Sequence, residues 1–175
     1  QGVVALTEPL PVLELADLWP LLDGKQPALL IADEVQDPQN IGSLIRSAET
    51  LGFHALLIPT RRSAGLTAAV ERAASGAAEH LPVVDVGNTA AAMLELRERG
   101  IWLAGTVVDS GQSLWHTDLT GPMAVLVGNE AEGLRRLVRE RCDLLVSIPR
   151  GGLTDSLNVA AAATAVMAEV MRQRA

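Results

Sequence analysis

Three short stretches of the sequence combine polar side chains with glycines in a way that could do chemistry. They are N-I-G-x-x-x-R at residues 40–46, G-x-E-x-x-G at residues 128–133, and I-P followed by S-L-N-V at residues 148–159. Their amides, guanidinium, carboxylate and hydroxyl can hydrogen-bond a polar substrate or bind an anion. Their glycines let the backbone approach a ligand closely. The third stretch could bind phosphate, cap a helix or form half of an active site.

Each polar residue of these stretches also has a purely structural explanation. Asn40 could be the N-cap of a helix, and Asp155 or Ser156 could cap the last helix. Glu130 could be a solvated acid in the first turn of a helix, where the helix dipole favours it. Arg46 could be an ordinary surface arginine. For one residue taken alone these explanations are the better ones, so only the joint occurrence of the three stretches points to a function.

Motifs of several common enzyme classes are missing from the sequence. There is no G-x-G-x-x-G after a first strand, no P-loop and no G-x-S-x-G nucleophile elbow. The three histidines are scattered singly, and Cys142 is the only cysteine. These observations argue against dehydrogenases, NTPases, hydrolases, disulfide frameworks and multi-cysteine zinc sites, and we expect no bound metal.

The overall composition limits how the protein could bind nucleic acid. The 175 residues carry a net charge of −7, with no tyrosine and one phenylalanine. Binding by bulk positive charge, or by stacking bases on aromatic side chains, is therefore disfavoured. A local basic face could form from arginines that flank the three stretches, namely Arg46, Arg61, Arg62, Arg135, Arg136 and Arg150. No apolar run is long enough to span a bilayer and no signal peptide is visible, which predicts a cytoplasmic protein.

Short apolar segments alternate with helical patterns from residue 28 onward, which predicts an α/β fold with a parallel sheet of about six strands and helices on both faces. The predicted strands are residues 28–32, 54–59, 81–86, 101–108, 123–128 and 144–149. The predicted helices are residues 40–51, 66–75, 90–99, 132–141 and 156–174, with a short one near 13–22. In such sheets ligands bind beyond the carboxyl ends of the strands, where all three stretches lie.

Taken together, the three stretches closely resemble the SpoU (TrmH-type) ribose 2′-O-methyltransferases of the SPOUT superfamily. The resemblance runs from about Ala28 to Arg174 and is nearest to the branch that methylates a guanosine of 23S ribosomal RNA. Residues 28–175 would then be the catalytic domain. Residues 1–27, which begin QGVVA, are similar to the linker from the family's small N-terminal RNA-binding domain, and we expect such a domain upstream.

The resemblance implies a topology and a cofactor. The family's sheet is tied in a deep trefoil knot in its C-terminal part, which periodicity cannot reveal. The family holds S-adenosylmethionine in three loops of the knot, and by position the contacts here would be Thr106, Gly128, Ile148 and Leu157. A homodimer acting on RNA is expected. No metal is expected, because the sulfonium leaving group needs no Lewis acid.

The resemblance also implies roles for the polar residues. Arg46 would contact the substrate and is assigned a base role in the family, with Asn40, Glu130, Ser156 and Asn158 around it. A guanidinium rarely gives up its proton in proteins, so a phosphate clamp that positions the nucleotide is the safer physical role. Ser156 and Asn158 could hydrogen-bond the ribose or orient Arg46.

Two residues depart from the family pattern, and other functions stay open. Arg150 stands where the family usually has Met, and Ala160 where it usually has a small polar residue. Arg150 could alter the cofactor edge or the RNA edge of the site. The alternatives are a tRNA or antibiotic-resistance rRNA 2′-O-methyltransferase, and a non-catalytic RNA-binding assembly factor with the same fold. Given the acidic charge, we expect weak RNA binding without the upstream domain.

Overall fold

Eight parallel strands form one sheet in the computed structural model, which describes residues 9–59 and 63–175. The strands are β1 (Val12–Glu14), β2 (Ala28–Ala32), β3 (Ala55–Ile58), β4 (Val83–Asp85), β5 (Trp102–Thr106), β6 (Gln112–Ser113), β7 (Met123–Val127) and β8 (Leu144–Ser147). The helices are α1 (Leu15–Leu21), α2 (Pro38–Thr50), α3 (Ala68–Ala74), α4 (Thr89–Glu98), α5 (Arg136–Arg141) and α6 (Val159–Arg174). The strand order is β1-β4-β3-β2-β7-β5-β8-β6, with every neighbouring pair parallel.

Helices cover both faces of the sheet because the central strands are apolar on both sides. All residues of β2 and β7 are buried. Successive side chains of a strand point to opposite faces, and accordingly Leu30 packs in one core with α2, α3 and α6, whereas Leu29 packs in the other with α1, α4 and α5. The predicted α/β fold with a parallel, two-sided sheet is confirmed.

The predicted number of strands, about six, is too low, because both edges of the sheet carry a short additional strand. At one edge β1 pairs with β4 over three residues, and at the other β6 pairs with β8 over two. Strands this short have too few residues to show a hydrophobic period. β1 and α1 belong to the segment predicted as a linker, and the α1 side chain of Leu18 is fully buried under the sheet. Residues 1–8 of that segment lie outside the described residues.

Helix α2 begins earlier than predicted, which corrects the interpretation of Asn40 as its N-cap. The N-cap is Asp37, whose carboxylate accepts a hydrogen bond from the backbone N–H of Gln39 at 2.9 Å. Pro38 occupies the first helical position, where its missing N–H costs nothing. Asn40 therefore lies inside the helix with its side chain free for another purpose.

Helices α5 and α6 begin later than predicted. Residues 132–135 are a loop, because Gly133 has a φ of +71° and pairs with Asn129 in an isolated antiparallel bridge. The cap of α6 is Asn158, whose Oδ1 accepts from the N–H groups of Ala160 and Ala161, so Asp155 and Ser156 do not cap it. Both polar residues, Ser156 and Asn158, are thereby left at a loop rather than within a helix.

The start of β2 depends on a neutral histidine, which predicts a pH-dependent stability. The backbone N–H of Ala28 donates to Nδ1 of His54 at 3.0 Å, so that nitrogen must be unprotonated. Burial, with nearby Lys25 and Arg174, holds the pKa of His54 below its ordinary value of 6.5. Because the unfolded histidine binds a proton more readily than the folded one, its stabilising contribution is full above about pH 6.5 and is lost as the pH falls below that.

We expect His54→Asn to reduce this loss, since the amide Oδ1 can accept from Ala28 without titrating. The measurement is the free energy of unfolding in urea at pH 7.5 and at pH 5.5. The difference between the two values should be smaller in the variant than in the wild type. An equal difference in both proteins would show that His54 does not contribute.

Candidate active site

A cleft of about 550 Å³ opens at the carboxyl ends of β5, β7 and β8. Its walls are residues 106–110 after β5, residues 127–134 after β7, and residues from both ends of the 148–159 loop after β8. These three strands are neighbours in the sheet, so their ends meet at one edge. The volume lies within the roughly 300–1,000 Å³ of pockets that hold small molecules and cofactors.

The four residues predicted to contact the cofactor all line this cleft. Thr106 ends β5, Gly128 follows β7, and Ile148 follows β8. Leu157 lies across from them on the last loop and is half exposed. Oγ1 of Thr106 is buried without a hydrogen-bond partner among the described residues, which leaves it available to a bound ligand. That the four residues touch the cofactor remains a prediction.

Gly128 is required by a close approach of two backbone segments. A Cβ at this position would lie 2.1 Å from the carbonyl carbon of Gly133 and 2.2 Å from the nitrogen of Leu134. These are backbone atoms, which cannot rotate away as a side chain could. The loop of residues 128–134 therefore folds back tightly on itself and presents its backbone groups to the cleft.

A chain of hydrogen bonds joins one residue from each of the three sequence stretches. Asn40 on α2 donates from Nδ2 to Oε1 of Glu130 at 2.9 Å. Asn158 in turn donates from its Nδ2 to Oδ1 of Asn40, also at 2.9 Å. We call this chain, Glu130–Asn40–Asn158, the amide relay. Both Glu130 and Asn158 line the cleft, and Asn40 is buried behind them.

The orientation of both amides in the relay follows from the fold. Oδ1 of Asn158 is occupied by the first N–H groups of α6, so its Nδ2 must face Asn40. Asn40 must then accept with its oxygen, which turns its nitrogen toward the carboxylate of Glu130. The cap of α6 thus fixes the direction of both hydrogen bonds, from Asn158 to Asn40 and from Asn40 to the carboxylate of Glu130 at the cleft.

Glu130 is held as a carboxylate at the rim of the cleft. Partial burial raises the pKa of its carboxyl group, but this is outweighed by hydrogen bonds from Asn40 and from backbone N–H groups, including that of Asp37. The net effect lowers the pKa of Glu130 below its ordinary value. Glu130 is therefore ionised throughout the neutral range, where it is an acceptor that anchors the relay.

Comparison with known proteins identifies the family of this site. The sequence profile of the SpoU rRNA methylase family matches residues 27–168. The chain belongs to the SpoU rRNA methylase family. Membership confirms the predicted enzyme class, an RNA ribose 2′-O-methyltransferase, and its methyl donor, S-adenosylmethionine.

Named relatives of this SpoU methylase include the 23S rRNA (guanosine-2′-O-)-methyltransferases RlmB of Ralstonia nicotianae and Escherichia coli K12. They are 46% and 44% identical, and the alignments cover 99% of this chain and 70% and 72% of theirs. The solved SpoU methyltransferase AviRb of Streptomyces viridochromogenes, in complex with AdoMet, is 34% identical with a TM-score of 0.83, covering 94% of this chain and 66% of its own. An AdoMet-bound rRNA methyltransferase of Sinorhizobium meliloti is 26% identical with a TM-score of 0.83, covering 93% and 61%.

The structure of this SpoU methylase brings four of the five predicted catalytic residues together and leaves one apart. Glu130, Ser156 and Asn158 line the cleft, and Asn40 touches two of them through the relay. Arg46 lies on the exposed side of α2, outside the lining of the cleft, with no hydrogen bond or ion pair to the rest of the described chain. No partner among these residues competes for its guanidinium with an anion that approaches from solvent.

Sequence reasoning missed several further residues of the cleft, among them the polar residues Asn129 and Arg139. Asn129 holds the 128–134 loop, because its Oδ1 accepts from the N–H of Ala131 at 2.8 Å and its Nδ2 donates to the carbonyl of Glu34 at 3.1 Å. Arg139 lines the cleft from α5 and has no ion pair within the described ranges. An Asn next to a glycine in a turn is a detectable signal, whereas nothing in the sequence distinguishes Arg139 from a surface residue.

An ion pair behind the cleft also went unpredicted, because Arg135 was interpreted as a possible member of a basic face. Its Nε and Nη2 donate to the two carboxylate oxygens of Asp33 at 2.9 and 2.5 Å. Asp33 is fully buried at the end of β2. The bidentate pair ties the end of the 128–134 loop to the centre of the sheet, and the hydrogen bonds to Asp33 raise the pKa of Arg135 further.

Replacing Arg135 with Met should lower the free energy of unfolding by about 1–3 kcal/mol, because it leaves the buried carboxylate of Asp33 without its partner. Urea unfolding measures the change. The matched control is Arg136→Met, whose ion pair with Glu140 is exposed and should cost less than about 0.5 kcal/mol. Equal effects of the two substitutions would contradict the structural role of Arg135.

Within residues 9–59 and 63–175, no group of three or more His, Cys, Asp or Glu side chains is placed to hold a metal ion. No helix in these ranges is both long enough and apolar enough to cross a bilayer. Burial raises the pKa of the Cys142 thiol to about 12, so this cysteine is not a nucleophile at neutral pH.

Proposed function

We propose that this protein transfers a methyl group from S-adenosylmethionine to the ribose 2′-oxygen of a guanosine in 23S ribosomal RNA. The observation that carries the proposal is the amide relay, in which buried Asn40 ties Glu130 and Asn158, two residues from distant stretches, together on the wall of a cofactor-sized cleft. The guanosine and the 23S rRNA are supported by the names of relatives at 43–46% identity.

We propose that the cofactor lies between Gly128 and the strand end at Ile148, with Thr106 and Leu157 at its sides. The bound cofactor supplies an electrophilic methyl group on a sulfonium. Because Gly128 has no side chain, the 128–134 loop can fold back closely on itself, and in this arrangement its backbone groups line the cleft beside the cofactor. The unpartnered Oγ1 of Thr106 can hydrogen-bond a polar atom of the cofactor.

We propose that the relay and Ser156 hold the ribose. Ser156 lines the cleft, and its hydroxyl has no partner in the described chain, so it can accept a hydrogen bond from the 2′-hydroxyl or donate one to the sugar. Asn158 and Asn40 are fixed in orientation by the cap of α6. Ionised Glu130 orients Asn40 and adds negative charge near the 2′-hydroxyl. The proton of that hydroxyl passes to solvent at the open cleft as the 2′-oxygen takes up the methyl group. This arrangement aligns the 2′-oxygen for an in-line displacement.

Arg46→Ala should lower kcat/KM for RNA by about 10- to 100-fold, since we propose that Arg46 clamps a phosphate of the substrate. The affinity for S-adenosylmethionine should not change, because Arg46 lies outside the cleft. Steady-state methyl transfer and calorimetry of cofactor binding measure the two effects. Arg136→Ala, which removes an exposed arginine of α5, is the control. Undiminished activity in Arg46→Ala would remove Arg46 from the mechanism.

The test of the function itself is methyl transfer from labelled S-adenosylmethionine to purified 23S rRNA, 16S rRNA and tRNA. We expect label on 23S rRNA. Label on tRNA would instead support the tRNA-modifying alternative. Cofactor binding without transfer to any RNA would support the non-catalytic assembly factor.

Two structural proposals accompany this function. We infer a C-terminal trefoil knot, supported by the position of β8 between β5 and β6, which the 107–111 connection must cross. At the crossing, a Cβ on Gly111 would lie 2.8 Å from the nitrogen of Ser147. An experimental chain trace without a knot would contradict this.

We also propose a homodimer that acts in the cytoplasm, where ribosomal RNA is found. Light scattering should give twice the mass of one chain, and a monomer mass at working concentrations would contradict the dimer.

A further inference from the structure

Arg150 bridges two loops that line the cofactor cleft, the loop after β5 and the loop after β8. We propose that Arg150 is a positioning residue whose guanidinium clasps the 150–157 loop to the loop after β5, and so holds Ser156 and Leu157 against the cofactor. The proposal rests on the proposed function, because it presupposes that the cleft binds S-adenosylmethionine. We call the contacts of Arg150 with Asp109 and Asp155 the arginine clasp.

The clasp joins three points of the chain through one side chain. Nη2 of Arg150 donates to Oδ1 of Asp109, in the loop after β5, at 2.6 Å. Nη1 of the same guanidinium donates to the backbone carbonyl of Asp155, immediately before Ser156. Arg150 and Asp109 both line the cleft. The clasp therefore closes the loop on itself and fastens it to the loop after β5.

Within residues 9–59 and 63–175, no other side chain hydrogen-bonds to the loop of residues 151–157. Every residue from 151 to 157 is exposed, and the side chain of Leu153 is fully so. Within the described residues, the bond from Arg150 to Asp155 is the only hydrogen bond to this segment. A Cβ on Gly151 or Gly152 would meet no atom within 4 Å, so these glycines are not packed. Such a loop has much conformational freedom to lose on closing, and the clasp restricts part of that freedom before the cofactor binds.

The clasp should make cofactor affinity depend on Arg150, on Asp109 and on salt. An exposed ion pair contributes modestly and is screened by ions. We expect the dissociation constant for S-adenosylmethionine to rise about 3- to 10-fold when either partner is lost. Added NaCl should weaken binding in the wild type more than in the variants.

Calorimetry of S-adenosylmethionine binding tests the coupling with Arg150→Met, Asp109→Asn and the double variant. Arg136→Met is the control, because it removes the same charge and an exposed ion pair away from the cleft. The dissociation constant of the double variant for S-adenosylmethionine should be no higher than that of the single variant that binds it more weakly. An unchanged dissociation constant in Arg150→Met, or multiplied effects in the double variant, would overturn the clasp. A wild type that binds no S-adenosylmethionine would instead overturn the proposed function.

A second measurement needs no cofactor. Thermolysin cleaves before leucine, and Leu153 and Leu157 lie in the clasped loop. The cofactor-free Arg150→Gln and Asp109→Asn proteins, which gain no apolar residue in the loop, should be nicked there several-fold faster than the wild type and Arg136→Gln. Equal rates of cleavage in all four proteins would overturn the clasp, whatever the cofactor affinities are.

Discussion

Gly128→Ala is expected to weaken S-adenosylmethionine binding by about 100-fold or more and to abolish methyl transfer. The added Cβ would overlap the carbonyl carbon and oxygen of Gly133 at 2.1 and 2.2 Å. Because both partners are backbone atoms, the 128–134 loop must move, and it forms one wall of the cleft. A hundredfold loss of affinity corresponds to about 2.7 kcal/mol, a modest part of what such an overlap costs.

Gly152→Ala is the matched control for this prediction. Gly152 also lies in a loop at the cleft region, but a Cβ there would meet no atom within 4 Å. We expect its cofactor affinity to stay within about twofold of the wild type. Calorimetry measures both variants, and circular dichroism shows whether each is folded. A folded Gly128→Ala protein with wild-type affinity would contradict the close approach of residues 128 and 133.

Asn40→Asp is expected to lower the rate of methyl transfer by about 100-fold. The substitution preserves shape but replaces the donor to Glu130 with a second carboxylate, at a donor–acceptor distance of 2.9 Å. The loss of a hydrogen bond to a charged group costs about 1.5–3 kcal/mol, and repulsion between like charges adds to it. Asn88→Asp is the control, because the same change occurs at the N-cap of α4, where Asp caps equally well.

The double variant Asn40→Asp with Glu130→Gln should be faster than Asn40→Asp alone, but slower than the wild type, because it restores the hydrogen bond and not the negative charge of Glu130. It reverses the direction of the hydrogen bond, since the amide of residue 130 now donates to the carboxylate of residue 40. Asn158 can still donate to residue 40, because its own orientation is fixed by the cap of α6. If the double variant were as slow as the product of the two single effects, the relay would not be the unit that organises the site.

The central strands were predictable from sequence, and the edges of the sheet were not. β2 and β7 are uninterrupted apolar runs because both faces are covered, and this pattern is visible without a structure. β1 and β6 have three and two residues, and they are strands only because β4 and β8 offer them hydrogen bonds. Their pairing depends on tertiary structure, so the local sequence pattern does not predict it.

The residue types of the site were predictable, but their connections were not. Asp37-Pro38 is a strong signal for the start of a helix. This signal predicts Asp37, and not Asn40, as the N-cap of α2. The relay joins residues 90 and 118 positions apart, and the pair of Asp33 and Arg135 spans 102. Such contacts depend on which strands are neighbours in the sheet. The strand order cannot be predicted from any one segment of the sequence.

The most direct test of the proposed function is nucleoside analysis of 23S rRNA after reaction with the purified protein and S-adenosylmethionine. Mass spectrometry of the digested RNA should show 2′-O-methylguanosine as the new nucleoside, absent when Gly128→Ala replaces the wild type. A guanosine methylated on its base, or a methylated nucleoside other than guanosine, would contradict the proposed reaction. So would RNA that stays unmodified in the presence of bound cofactor.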